Sequence, residues 1–385
     1  MLVDVQQRTL TGRVGAARKR YVGQVVYLFA FDLAYELAEQ PISTLLGQPV
    51  VPFRIGADKR IPQAHLFYEP LMVRLPGVER VGPQGPVQIA RVIKILPVGS
   101  ISITVAVPFQ TEHIEDLVIF HDLQFDSGSL QAEVRELAEQ VRRELRPYCI
   151  RPVAQLPEEE AYTVFCIEAP LTDPEGLPLS AEAWLQAHRR QVAALLTQEL
   201  DIHQLSQQEA EESTSRYLSY YKSDLVVVDW DAALIVDEPA DVEEVLYVME
   251  LGNLELAELE AYDRLLDAAL ERSYRDLADR SLRSRAHVLQ QVKELRIDMA
   301  RLNDALSNIT KLFGDWHLAR IHQLIATRFH LADWHRTVNE KLKTLDDLYQ
   351  LLCHERDSRW MLTLEATIVL LFIIDLVILV VGLKG

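Results

Sequence analysis

The chain of 385 residues is short of cysteine: its three, Cys149, Cys166 and Cys353, are odd in number and far apart. Such a set makes no disulfide framework and fits a reducing compartment. Positive charge is scarce as well, with 39 Lys and Arg against 57 Asp and Glu and a net charge of −18. Nonspecific nucleic-acid binding by the whole surface is therefore not expected, because phosphate contacts need clustered Lys and Arg. The common catalytic spacings are missing too. There is no P-loop, no GxGxxG, no HExxH, no CxxC and no GxSxG. These absences leave no reaction to name, and no cofactor is expected. The first twenty residues hold no apolar core of a secretory signal. They carry Arg8, Arg13, Arg18, Lys19 and Arg20 against Asp4 alone, and read as a basic arm.

Proline is absent from one region only. All 17 prolines lie at or before Pro239. Proline removes a backbone donor and clashes with the preceding turn, so its absence permits long helices. This shift sets a domain boundary at 238. The sequence predicts a mixed α+β cytoplasmic head over 1–238, a helical stalk with coiled-coil-like packing over 239–359, and a transmembrane tail anchor over 360–383.

Within the head, Val25 to Phe31 is short, aromatic and β-branched, and predicts a buried strand. The stretch from Pro41 to Pro86 reads as irregular. Val87, Ile89, Arg91, Ile93 and Ile95 alternate with their neighbours, as do Ile101, Ile103, Val105 and Val107. With Pro97-Val98-Gly99-Ser100 between them, the two runs predict a hairpin. Leu130, Val134, Leu137, Val141 and Leu145 trace one face of a helix. Tyr162 to Ile167 predicts a strand, Ser180 caps a helix to about Leu200, and Ser206 with Glu209 suggests a capping box. Leu225–Val228 and Ala233–Val236 predict a second hairpin.

The stalk is read as an antiparallel bundle of long helices. Val288, Val292, Leu295, Met299, Leu302, Leu306, Ile309, Phe313 and Trp316 step by 4 and 3, the spacing of a heptad seam. Leu331, Trp334, Val338, Leu342, Leu345, Tyr349 and Leu352 form a looser stripe. From Met361 to Val381 the residues are almost all apolar, and as a helix they span roughly 31 Å, the thickness of a hydrocarbon core. Glu365 and Asp375 interrupt this run. Buried acids in a membrane need another helix or a water-filled path, so they argue for a homo-oligomer.

The weak candidates for a metal are His113, Asp116 and His121, in a cluster with Glu112, Glu115 and Asp122. Imidazole and carboxylate together hold divalent ions, but the spacing matches no established site, and a polar helix surface is the stronger reading. Asp315-Trp316-His317 recurs as Asp333-Trp334-His335. The basic run Arg272, Arg275, Arg280, Arg283 and Arg285 is interleaved with acids and reads as a solvated helix face.

Leu345-Asp-Asp-Leu-Tyr-Gln-Leu-Leu, Glu355, Arg359, Leu364-Glu365 and Asp375 in an aliphatic run resemble the tail of the "required for meiotic nuclear division" family, a domain of unknown function with a C-terminal span. The resemblance covers 290–383 and, more loosely, 225–236. Ala366 replaces the family's usual Trp, and Asp375 stands where Glu is common, as in a distant bacterial branch. The resemblance implies a membrane-tethered scaffold without established enzymatic activity.

The leading expectation is a non-enzymatic, tail-anchored, homo-oligomeric scaffold in a bacterial inner membrane, or alternatively an organelle inner membrane, with protein partners on its head. Nucleic acid is not an expected partner. One alternative is an oligomeric ion channel or transporter lined by Glu365 and Asp375. A second is a metal-dependent enzyme using residues 112–122.

Overall fold

Every side chain from Val25 to Phe31 is buried on both faces of its strand, which places this run in the middle of a sheet rather than at an edge. The structure is a computed structural model that describes residues 21–38, 40–53, 70–82, 85–96, 99–172, 177–278, 297 and 316–382. Side chains are described at all of these except 35, 276–278, 349, 351–360 and 375–382. Among the described residues the largest sheet has nine strands. They are β1 (Tyr21–Asp32), β2 (Val51–Pro52), β3 (Leu71–Gly82), β4 (Gly85–Ile95), β5 (Ser100–Thr111), β6 (Glu160–Glu168), β7 (Tyr217–Leu218), β8 (Leu225–Val228) and β9 (Ala232–Asp237). Their order across the sheet is β7-β8-β9-β6-β1-β5-β4-β3-β2. The pair β6 and β9 is parallel, and the other pairs are antiparallel.

Both predicted hairpins form, as β4–β5 and β8–β9. The expectation of an irregular stretch to Pro86 is corrected by β3, twelve residues long. Proline cannot donate to a ladder, and the register shifts between Leu75 and Val78 around Pro76-Gly77. One bulge absorbs the misfit and the strand continues.

One face of the sheet carries the odd residues of β1 and β5. It packs against α1 (Leu130–Leu145), the 3-10 segment Ile114–Phe120, α2 (Ala181–Ala187) and α3 (Arg189–Leu196). The predicted face of α1 is the buried one, and Ser129 caps it by accepting the Ala132 N–H at 3.2 Å. Ser180 and Ser206 cap α2 and α4 (Gln207–Ser213) in the same way. The helix expected to reach Leu200 breaks at His188, whose backbone leaves the helical region.

The opposite face carries even residues, among them Val26, Leu28, Lys94, Thr104 and Val164. It meets the first part of α5 (Pro239–Ala278), where Glu250 bonds both Lys94 and Thr104, and the Asn253 amide donates to the Glu160 carbonyl at 3.1 Å. Helix α6 (Trp316–Arg328) lies against β7 and β8.

The chain divides into two compact units. Unit 1 holds the sheet, α5 as far as Asn253, and α6. A domain boundary at 238 therefore differs from this division, because the first turns of α5 pack on the sheet. Unit 2 takes α5 from Leu254 and α7 (Leu331–Gly382). His335 meets Glu255 at 3.1 Å, and Lys341 meets Asp263 and Asp267 at 2.7 Å each. These partners advance together along both helices, so α5 and α7 run in the same sense. Leu331, Val338, Leu342 and Leu345 of the looser stripe are buried.

Among the described residues no helix is long and apolar enough to cross a membrane. This corrects the expectation of a C-terminal transmembrane tail anchor. The described apolar side chains of α7 run from Met361 to Ile374, 14 residues by their numbering. Glu365 falls inside this run. The side chain of Asp375 lies outside the described residues.

Candidate functional site

Strand β1 begins between the closing ends of its two neighbours. Tyr21 pairs with Thr111 of β5, and Gly23 pairs with Ile167 of β6. The three ends, the facing ends of β3 and β4 and the 3-10 segment line a cleft of about 790 Å³. Its floor includes the buried Val107, Phe109, Phe120 and Leu123. Glu112, His113, Asp116 and Glu168 line it with exposed side chains. This cleft is the strongest candidate site in unit 1.

Of the three weak metal candidates, the fold brings two together and sends the third elsewhere. The Thr111 hydroxyl donates to Asp116 Oδ2 at 2.7 Å and accepts the His113 N–H at 3.3 Å. His121 points away from them, its Nε2 lying 2.6 Å from the Leu195 carbonyl. A carbonyl only accepts, so Nε2 carries the proton and is committed. The ring also stands edge-on to Phe165 at 5.0 Å. Burial lowers the His121 pKa, outweighing the Leu195 bond and the Asp231 charge, so the ring is held neutral. Among the described residues no group of three His, Cys, Asp or Glu side chains could hold a metal ion. The cleft instead offers carboxylates above an apolar floor, an arrangement suited to a cationic ligand with apolar parts.

Two further polar clusters were not singled out from the sequence. Lys94 Nζ pairs with Glu250 in the interior, 4.3 Å from the Phe53 ring centre and 5.1 Å from that of Tyr247. Burial, then the Glu250 charge, raises the Tyr247 pKa, so its hydroxyl keeps its proton. One signal was available, since Glu250 interrupts the apolar run from Val245 to Leu251. The second cluster joins Arg328 of α6 to Asp229 in the β8–β9 turn, with Glu212 at 3.6 Å and the Trp230 ring 5.8 Å away. Both clusters hold helices to the sheet.

The other predicted positions are dispersed. Of the seam, Val288, Val292, Leu295, Met299, Leu302, Leu306, Ile309 and Phe313 lie outside the described residues. Trp316 is 68% exposed, with Arg320 4.9 Å from its ring centre. The repeated Trp-His pairs do not converge on one site: His317 lies 3.9 Å from Asp224 in unit 1, and His335 meets Glu255 in unit 2. In the basic run, Arg275 pairs with Glu271 at 3.3 Å, and Arg280, Arg283 and Arg285 lie outside the described residues. Glu365 is exposed.

No solved structure matches the chain. A curated relative, the uncharacterized protein MJ0711 of Methanocaldococcus jannaschii, is 22% identical over 220 residues. That match covers 57% of this chain and 65% of the relative, so the chain spans less than two thirds of the relative's length. A family model described as the N-terminal domain of uncharacterized protein MJ0711 matches residues 22–242. The match runs from the second residue of β1 into the first turn of α5, taking in all nine strands and the cleft. More than half of the chain is covered, and the protein belongs to the MJ0711 N-terminal domain family.

Proposed function

We propose that the protein is a non-enzymatic scaffold that works as a homo-oligomer. The observation that supports this most directly is the surface of α7 between Met361 and Ile374. Leu362, Leu364, Ile368, Val369, Leu370, Leu371, Phe372, Ile373 and Ile374 are all exposed. A helix apolar on every side is ordinarily buried, and a contiguous apolar patch of this kind marks an association surface. A second copy supplies the same surface and closes the contact symmetrically. In this reading the resemblance of 290–383 to the "required for meiotic nuclear division" family adds a relationship to proteins without established enzymatic activity. That stretch follows the end of the MJ0711 match at residue 242.

Sedimentation of the purified full chain tests the reading. The wild type is expected to run as an oligomer, and Leu371→Lys combined with Phe372→Glu as a folded monomer. An unchanged mass, or co-flotation of the wild type with neutral phosphatidylcholine vesicles, would overturn self-association as the role of this surface. A hydrolase or transferase activity in the purified protein would overturn the non-enzymatic part.

A further inference from the structure

We propose that the cleft is a strand-docking gap in the sheet, which takes an extended segment of a partner protein whose apolar residues alternate with Lys or Arg. Strands β4 and β5 are in register from Ile95 and Ile101 to Ala90 and Ala106, and among the described residues their ladder ends there. Both strands run on. Residues 85–89 of β4 keep their partners in β3, and residues 107–111 of β5 keep theirs in β1. Residues 85–88 and 107–111 line the cleft from its two sides. The cleft is therefore a parting between two neighbouring strands of one sheet.

Two prolines account for the parting. The Leu96 N–H donates to the Ser100 carbonyl at 2.9 Å. Bonded and non-bonded pairs alternate in an antiparallel ladder, so the even-numbered pairs of β4 and β5 are the bonded ones. Beyond Ala90 and Ala106 the next two would be Gln88 with Pro108 and Pro86 with Gln110. Each contains a proline, which has no N–H to donate. Toward the gap, β4 turns the Gln88 N–H and the carbonyls of Pro86 and Gln88, and β5 turns the Pro108 carbonyl. An incoming peptide supplies the donors that the prolines lack, the mode of strand addition.

The two faces of the sheet set the pattern of the peptide. Val107 and Phe109 share the core face with Phe120 and Leu123, and Val87 packs against it. Glu112 follows Thr111, and Glu168 follows Ile167, which is opposite Gly23. Both carboxylates therefore lie on the other face, and among the described residues no Lys or Arg lines the cleft. Successive side chains of a strand point to opposite faces. One set of an inserted strand reaches the apolar floor, and the alternate set reaches the carboxylates, where cations are complementary. The open stretch of β5 spans about 17 Å, room for about five residues of peptide. The site does not depend on self-association through α7.

Fluorescence anisotropy of a labelled octapeptide repeating Val-Lys, titrated with the full chain, tests this. The peptide should bind saturably, and a Val-Glu octapeptide at least tenfold more weakly. Methylating every second backbone nitrogen of the Val-Lys peptide removes the donors of one edge and should weaken binding at least tenfold. Gln88→Pro removes a donor that faces the gap and none that pairs with β3. It should weaken binding at least fivefold and leave the urea midpoint unchanged. Glu112→Lys with Glu168→Lys should reverse the preference so that the Val-Glu peptide binds more tightly, which a damaged fold would not do. Absence of saturable binding, equal binding of the Val-Lys and Val-Glu peptides, or indifference to N-methylation overturns the proposal. A lower oligomer mass in Gln88→Pro would give the gap to a second copy and overturn it as well.

Discussion

Lys94 and Glu250 are charges removed from water, and each is tolerable only because of the other. A buried pair costs several kcal/mol per ion in desolvation, so removing one partner is worse than removing both. Lys94→Met should cost about 3–5 kcal/mol. Lys94→Met with Glu250→Met should recover most of that loss, read as the urea midpoint at constant slope. Asp237 gives a different test, based on pH. Burial, aided by the charges of Asp224, Asp241 and Glu238, pushes its pKa from 3.8 up to about 6 against the opposing Glu238 N–H bond. The folded state thus binds a proton that the unfolded state has released between about pH 4 and 6. The contribution is fully present below the unfolded value and is lost as pH rises through about 6. Asp237→Asn should stabilise the protein at pH 7 by about 1 kcal/mol, allowing for the solvent around this half-buried group. It should also flatten the stability profile between pH 4 and 6. A profile unchanged by the substitution would remove Asp237 as its source.

At the scale of elements, the β4–β5 turn is locked to another part of the chain. Gly99 has φ +93°, and a Cβ there would meet the Ala34 carbonyl oxygen at 1.9 Å. Its own carbonyl accepts the N–H groups of Leu33 and Ala34 at 3.1 and 3.2 Å. Gly99→Ala therefore meets both backbone strain and a clash, and should cost roughly 3 kcal/mol in thermal or urea unfolding. Helix α6 depends on its last residue. Arg328 is buried between Asp229 and Glu212, so Arg328→Ala leaves Asp229 without this cation. Amide exchange across Trp316–Arg328 should then quicken at least tenfold while that of β1 is unchanged. Equal acceleration in β1 would show that the clip supports the whole unit and not α6 alone.

For the whole molecule, the proposed self-association through Met361–Ile374 would make stability a function of concentration. The full chain should gain thermal midpoint as protein concentration rises, by the mass-action linkage of folding to assembly. The Leu371→Lys, Phe372→Glu variant should lose that dependence and keep one midpoint at every concentration.

What the sequence by itself determined is what depends on neighbours in the chain. The period-2 runs predict both hairpins, the spacing from Leu130 to Leu145 predicts the buried face of α1, and Ser180 and Ser206 predict their caps. Each rests on contacts a few residues long. The prolines between Pro41 and Pro86 misled the local reading, because the bulge that accommodates Pro76-Gly77 depends on the partner strand. The tail was read as a membrane span by summing hydrophobicity along the run, and among the described residues no helix is long and apolar enough to cross a membrane. Tertiary structure alone decided the rest. The nine-strand order, the separation of His121 from His113 and Asp116, and the gathering of Glu112 and Glu168 around the start of β1 all follow from which strands become neighbours. The ion pairs of Lys94 with Glu250 and Arg328 with Asp229 join residues 156 and 99 positions apart. Partners at that distance are chosen by burial across the sheet, which favours a matched charge over a lone one and leaves no local pattern in the chain.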